Sequence, residues 1–406
     1  MECMDEIEGL YELQPIVSYD DADHDGERGG ARHLGCVLPA VTAAIGSPVA
    51  TRLHSDPERL RHELGLPQAR AAVVVLVDGL GFWNLSTRRG HAPYLRSLLA
   101  DSVSARPIAT CFPATTVAAM GTFGTGTCPG LTGMTGYSQL NPRNGRICQL
   151  IAFRDAMPPE ELQAQPTIFQ TLASRGMRVT ASGLPKFSQS ALTQAAFHGA
   201  EYIGNSKIAK RIEVAADSCA EPGITYLYFN ECDKVGHNYG WESEKWITTF
   251  ESLDGYLAEL RRMVPAGTLI VIVADHGMIQ ADPGERIDIA EHAELTEGVK
   301  LVGGEPRAPM LYLHDDVDPR DVAARWQDFL GDKAQVFTRD EALAKGMYGP
   351  VRDDVKPMIG DVIAAAADRV TIVDSRTATD KATRLPSVHG SRTKMEVDIP
   401  FLVDLA

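Results

Sequence analysis

The stretch VVVLVDGLGFWNL, residues 73–85, decides how the chain is read. Val73 to Val77 is an unbroken apolar run, the pattern of a strand covered on both faces. It stops on Asp78, followed by Gly79 and Gly81. A carboxylate at the end of a buried strand needs a partner, because an unpaired buried charge is costly.

Asp78 has counterparts. The run ITYLYF (224–229) leads through Asn230, Glu231 and Cys232 to Asp233, and TLIVIVA (268–274) ends on Asp275 and His276. PMLYLH (309–314) and RVTIV (369–373) also read as strands. Amphipathic helical stretches lie between such runs, among them TIFQTLASRG (167–176) and WITTFESLDGYLAELRRMV (246–264). The alternation predicts an α/β fold, with a mostly parallel central sheet and helices on both faces. In such a sheet the carboxyl ends of the strands share one edge, where ligands bind. Three acids gathered there repel one another unless a cation sits among them.

The imidazoles make the cation specific. His237 follows Asp233 by four residues in DKVGH, so one helical turn sets both on one face. His276 adjoins Asp275, and His389 lies in the loop sequence PSVHGSR. Three Asp and three His suit zinc, with manganese or iron as alternatives. Six ligands are too many for one tetrahedral ion and fit two, each keeping open positions. Taken singly, each residue has an ordinary explanation as a helix cap or loop histidine. Their joint arrival at strand ends is what points to metal.

Between the first and second acids, IATCFPATTVAAMGTFGTGTCPGLTGMTGY (108–137) reads as loop, cap and helix around Thr115 and Thr116. A helix N-terminus favours anions. A hydroxyl held on a divalent ion can ionise and attack. Either threonine is therefore a candidate nucleophile. Cys111 and Cys128 flank the segment without an activating partner.

The chain has 406 residues, 44% hydrophobic and 23% charged, enough for one large domain with an inserted lobe. Its formal charge of −15 argues against a nucleic-acid polymer as partner. No apolar run reaches the roughly 18–20 residues that span a bilayer. The acidic start MECMDEIEGL lacks the features of a secretory signal, and seven scattered cysteines fit a reducing cytoplasm. Residues 1–50 read as a partly flexible arm and 51–406 as the catalytic domain, with 279–385 an inserted α/β lobe. A second insertion is expected around 138–215. Within the arm, Asp21, Asp23, Asp25 and Gly26 start like a calcium loop, but Arg32 stands where the twelfth-position Glu is required. A solvated acidic loop is expected instead. Lys186, Asn205 and Lys207 are possible substrate contacts, though exposed loop positions are the commoner explanation.

In order, VDGLG, FPATT with its following TG, DKVGH, ADHGM and VHG resemble the alkaline phosphatase superfamily. The closest branch is the type I phosphodiesterase/nucleotide pyrophosphatase family, and the resemblance runs from about residue 71 to the C-terminus. It implies a two-zinc site, one ion held by Asp233, His237 and His389 and the other by Asp78, Asp275 and His276. It also implies a threonine that attacks phosphorus and becomes phospho-threonine. Counting back from Thr125-Gly126 places that nucleophile at Thr116, with Thr115 the runner-up. Ala119 stands where the family often carries Asn, and Thr132 marks the place of a usual His. The implied substrate is a nucleotide-like or other small phosphate ester. A phosphomonoesterase or a phosphonate hydrolase is the alternative, and a non-catalytic metal-binding protein the reading from another class. A sulfatase is disfavoured because no Arg follows Pro113 at the required spacing.

Overall fold

Ala71–Val77 forms strand β1, and all seven of its residues are buried. The computed structural model describes residues 9–22, 29–101 and 103–406. Fully burying each of these valines and leucines stabilises the fold by roughly 1.5–3 kcal/mol, which makes β1 the spine of the core. Four further strands join the same sheet in parallel: β2 (Arg178–Gly183), β3 (Glu201–Gly204), β4 (Gly223–Phe229) and β5 (Thr268–Val273). β6 (Val299–Glu305), β7 (Ala308–Leu313), β8 (Ala334–Thr338) and β9 (Val362–Ala366) form a separate antiparallel sheet in the order β6-β7-β9-β8. β10 (Phe401–Leu405) returns to the first sheet, antiparallel to β5, and completes the order β10-β5-β1-β4-β2-β3.

β1 therefore lies between β4 and β5, the two strands that precede Asp233 and Asp275. In-register parallel pairing of the three brings their carboxyl ends to one edge.

Four helices matter for the site: α1 (Leu34–Ala44), α2 (Thr116–Thr125), α3 (Glu231–Tyr239) and α4 (Glu244–Met263). α3 carries Asp233 and His237 one turn apart, and α4 packs along it. α1 is buried over its whole length and packs on α2. That helix falls inside the segment read as an arm. Being apolar on every side, with Pro39 in its interior, it has no helical period to recognise.

Further expectations are corrected. The 138–215 segment is not simply an insertion, since its second half supplies β2 and β3 to the main sheet. RVTASG is too small and polar to announce a core strand, yet its residues from Val179 onward are buried between neighbours. PMLYLH belongs to the antiparallel sheet, and Thr371–Val373 pairs with Arg286–Asp288 in a separate two-stranded sheet. Asp21, the described member of the calcium-like loop, is committed to Arg59 and to His54. Asp23, Asp25 and Gly26 lie outside the described residues.

Candidate metal centre and nucleophile

The main chain ties Asp78 to Asp233 before any side chain acts. The Asp78 N–H donates to Phe229 O at 2.8 Å, and the Asp233 N–H donates to Asp78 O at 3.1 Å. Gly79, at φ +73°, lies so close to α3 that a Cβ there would come within 2.9 Å of Asp233 Cα. Only glycine combines that backbone angle with that approach.

Each of the three acids has a buried oxygen without a hydrogen-bond partner. Asp275 Oδ1 accepts from the N–H groups of Gly79 at 3.1 Å and His276 at 3.0 Å, while Oδ2 has no partner. Asp78 Oδ2 accepts from the Tyr228 hydroxyl, and Oδ1 has none. Asp233 Oδ1 likewise completes no hydrogen bond, although His237 Nε2 stands 3.1 Å away in poor alignment. Buried carboxylate oxygens with no protein partner are free to serve as donors to a cation.

The histidines follow one rule. His237 Nδ1 is 2.8 Å from Ser387 O, His276 Nδ1 is 3.1 Å from Gly277 O, and His389 Nδ1 is 2.9 Å from Ala114 O. In each case donation to a carbonyl consumes Nδ1 and turns the basic Nε2 toward the acids. This is how a protein orients a metal-binding imidazole. His276 Nε2 is 3.5 Å from Asp78 Oδ1 and 3.4 Å from Asp275 Oδ2, and His389 Nε2 is 3.8 Å from Asp233 Oδ1. Two triples each bring one ligand atom apiece within 4.8 Å of one another: Asp78, Asp275 and His276, and Asp233, His276 and His389. His276 is common to both. His237 adjoins the second through Asp233.

Electrostatics say what the cluster needs. Burial, then Asp275 and Asp233, pushes the Asp78 carboxyl well above its ordinary range. Burial also raises Asp275. Burial opposes ionisation of Asp233 too, but His237 and then His389 hold it below its usual value. Burial, His276 and His237 together hold His389 well below the ordinary imidazole value, in the neutral form a metal requires. Divalent cations would relieve both the repulsion and the orphaned oxygens, so the donor set fits them.

Thr116 opens α2 and is half-buried, and its Oγ1 is 3.2 Å from His276 Nε2. Thr115 is the N-cap residue, 1% exposed, and makes no capping bond with its side chain. Burial pushes both nearby thiols, Cys111 and Cys128, up to about 12, where neither is a nucleophile at neutral pH. Ala119 is fully buried and its side chain offers no polar atom. Lys186 is exposed, its Nζ 4.7 Å from the centre of the Phe187 ring, and that ring meets Tyr228 edge-on at 5.8 Å. Asn205 accepts from the Lys207 N–H at 3.1 Å and closes a local turn.

Tyr228 is the site residue that sequence reasoning missed. It is the second-last residue of β4 and pairs with Leu76 of β1, which brings its hydroxyl to Asp78. A tyrosine at the end of an apolar strand, next to a strand ending on Asp, was the available signal.

Carboxylates and oriented imidazoles at the carboxyl edge of a mostly parallel sheet define the arrangement of the alkaline phosphatase superfamily, a metal-dependent class. Within it, the chain belongs to the type I phosphodiesterase/nucleotide pyrophosphatase family, whose model matches residues 72–392. The fold is similar to that of murine ectonucleotide pyrophosphatase/phosphodiesterase 5, with TM-score 0.66 and 15% identity over 82% of this chain and 87% of that one. An inactive form of the same murine protein in complex with AMP gives 0.65 and 14%, with the same coverage. Phosphonoacetate hydrolase from Sinorhizobium meliloti 1021, in complex with phosphonoformate, gives 0.62 and 22% over 83% of this chain and 90% of that one. None of the curated proteins compared with the chain matches it.

Proposed function

We propose that this protein hydrolyses small phosphate diesters, nucleotide-like ones foremost, through Thr116 and a phospho-threonine intermediate. The observation that carries the reading is the 3.2 Å approach of Thr116 Oγ1 to His276 Nε2, inside a set of acids with unpaired oxygens. Two zinc ions, with manganese or iron as alternatives, would be held by Asp78, Asp233, His237, Asp275, His276 and His389. Bound there, they would lower the pKa of a hydroxyl and neutralise a phosphate's charge.

The chain's own part follows from its geometry. The α2 N-terminus presents Thr116 Oγ1 with the helix dipole favouring an anion in front of it. Thr116 loses its proton, its oxygen bonds to phosphorus, and the bond from phosphorus to the leaving alcohol breaks. The departing oxygen takes a proton. Water then attacks the phospho-threonine, restores the Thr116 hydroxyl and releases the phosphoryl product, so one water is consumed per turnover. Asp233, His237 and His389 are each partly exposed, whereas Asp78, Asp275 and His276 are buried. Substrate and water therefore approach from the Asp233 side.

A phosphonate hydrolase is the second reading. Ala119 leaves no side-chain amide to hold a phosphate oxygen, and the fold is also similar to that of a phosphonoacetate hydrolase. Among the described residues, six free cysteines are all buried, which supports a cytoplasmic setting. Metal analysis combined with turnover of bis(p-nitrophenyl) phosphate, p-nitrophenyl phosphate and phosphonoacetate tests these readings. The diester is expected to turn over fastest, with about two ions per chain. No turnover of any phosphorus compound by the metal-loaded protein would overturn the assignment.

A further inference from the structure

Another carboxyl group beside the site is buried without a partner. Glu305 closes β6 of the antiparallel sheet and is 8% exposed, and neither Oε1 nor Oε2 completes a hydrogen bond. Its stem lies against Gly390, the residue after His389. A Cβ on Gly390 would stand 2.5 Å from Glu305 Cγ, and φ there is +135°. On its other side the carboxyl faces the Thr115 hydroxyl and the Tyr137 N–H, both just outside bonding geometry. Thr115 immediately precedes Thr116. One side chain thus lies against the residue after a candidate ligand and faces the residue before the candidate nucleophile.

Among the described residues, no cation pairs with it. Arg307, two residues on, donates to Glu396 at 2.9 and 3.1 Å and to the carbonyls of Ala366, Ala367 and Val370. Its guanidinium is fully committed away from Glu305.

We propose that Glu305 is a positioning residue for the reaction, its carboxyl group wedged between Thr115 and Gly390 so that the antiparallel sheet sets both the nucleophile helix and the His389 loop. This rests on the roles given above to Thr116 and His389. Burial, with a smaller push from Glu396, raises the carboxyl to about 8, against the pull of the Thr115 hydroxyl and the Tyr137 N–H. That shift favours the protonated form near neutral pH. A neutral carboxyl can donate to Thr115 Oγ1 and accept from the Tyr137 N–H. Glutamine can make the same two bonds, and methionine fills the same space and makes neither.

The test compares Glu305→Gln and Glu305→Met with wild type in thermal melting, zinc retention against a chelator, and kcat and KM on bis(p-nitrophenyl) phosphate. Glu305→Gln is expected near wild type throughout. Glu305→Met is expected to fold, to hold zinc about tenfold more weakly, and to lose kcat by a similar factor with KM little changed. Wild-type kcat and zinc retention in Glu305→Met would reduce Glu305 to packing and overturn the proposal. So would a Glu305→Gln variant as impaired as Glu305→Met. Should Glu305→Met not fold, the pH profile decides. Wild type should lose kcat above about pH 8 while Glu305→Gln holds it higher, and identical alkaline limbs would sink the idea. If wild type hydrolyses no phosphorus ester, the hydrolase reading fails, and zinc retention by the variants still decides the role of Glu305.

Discussion

Thr116 Oγ1 lies 3.2 Å from His276 Nε2, while Thr115, one residue earlier, is buried with its side chain outside that contact. The one-residue ambiguity at the start of α2 becomes a measurable difference. Thr116→Ala should lower kcat by at least about 10³-fold, the scale expected when a nucleophile is removed. Thr115→Ala should cost less than about tenfold. Steady-state assays decide, and mass spectrometry of acid-quenched protein should find phosphate on the peptide containing Thr116. Phosphate on Thr115 instead would move the assignment.

Asp78 should act in opposite directions with and without metal. Burial, Asp275 and Asp233 raise its carboxyl in the metal-free fold. A raised acid contributes stability at low pH that is lost as pH climbs through its folded value. Asp78→Asn should therefore melt higher than wild type at pH 8 when both are stripped of metal, and no higher at pH 4. Added zinc should raise the wild-type melting temperature by several degrees, through preferential binding to the folded state, and barely move the variant. Melting curves with and without chelator test both signs.

Tyr228→Phe removes only the hydroxyl that holds Asp78 Oδ2. The ring keeps its packing against Tyr226 and Phe187, so folding should be nearly unchanged. Zinc affinity should fall roughly tenfold, as for other groups that orient a ligand from behind. Chelator competition measures it, and unchanged retention would show that the main chain alone positions Asp78.

Gly79→Ala and Gly255→Ala form a contrasting pair. At Gly79 the added methyl meets Asp233 Cα at 2.9 Å on a left-handed backbone, so a loss of about 1–3 kcal/mol and of metal binding is expected. Gly255 lies inside α4 and has open space around it. There alanine should stabilise by about 0.5–1 kcal/mol. Chemical denaturation reads both, and equal effects would contradict the geometry at Gly79.

Much of this was legible in residue order. The runs at 71–77, 224–229 and 268–274 are largely apolar because both faces of their strands are covered, and each is followed within four residues by an acid. α1 was not legible, since a helix buried on every side shows no period. Nor was β2, whose small and polar residues take their burial from β4 and β3 rather than from their own hydrophobicity.

Residue order by itself determined which chemical groups arrive at the carboxyl edge of the sheet, because strand, turn and helix periods are local properties of the chain. Only the tertiary structure decided how those groups face one another. Ser387, Gly277 and Ala114 hold the imidazoles through backbone carbonyls, which every residue possesses and no sequence pattern marks. Tyr228 and Glu305 reach the site through pairing and packing between segments far apart in the chain, and such contacts exist only once the chain has folded.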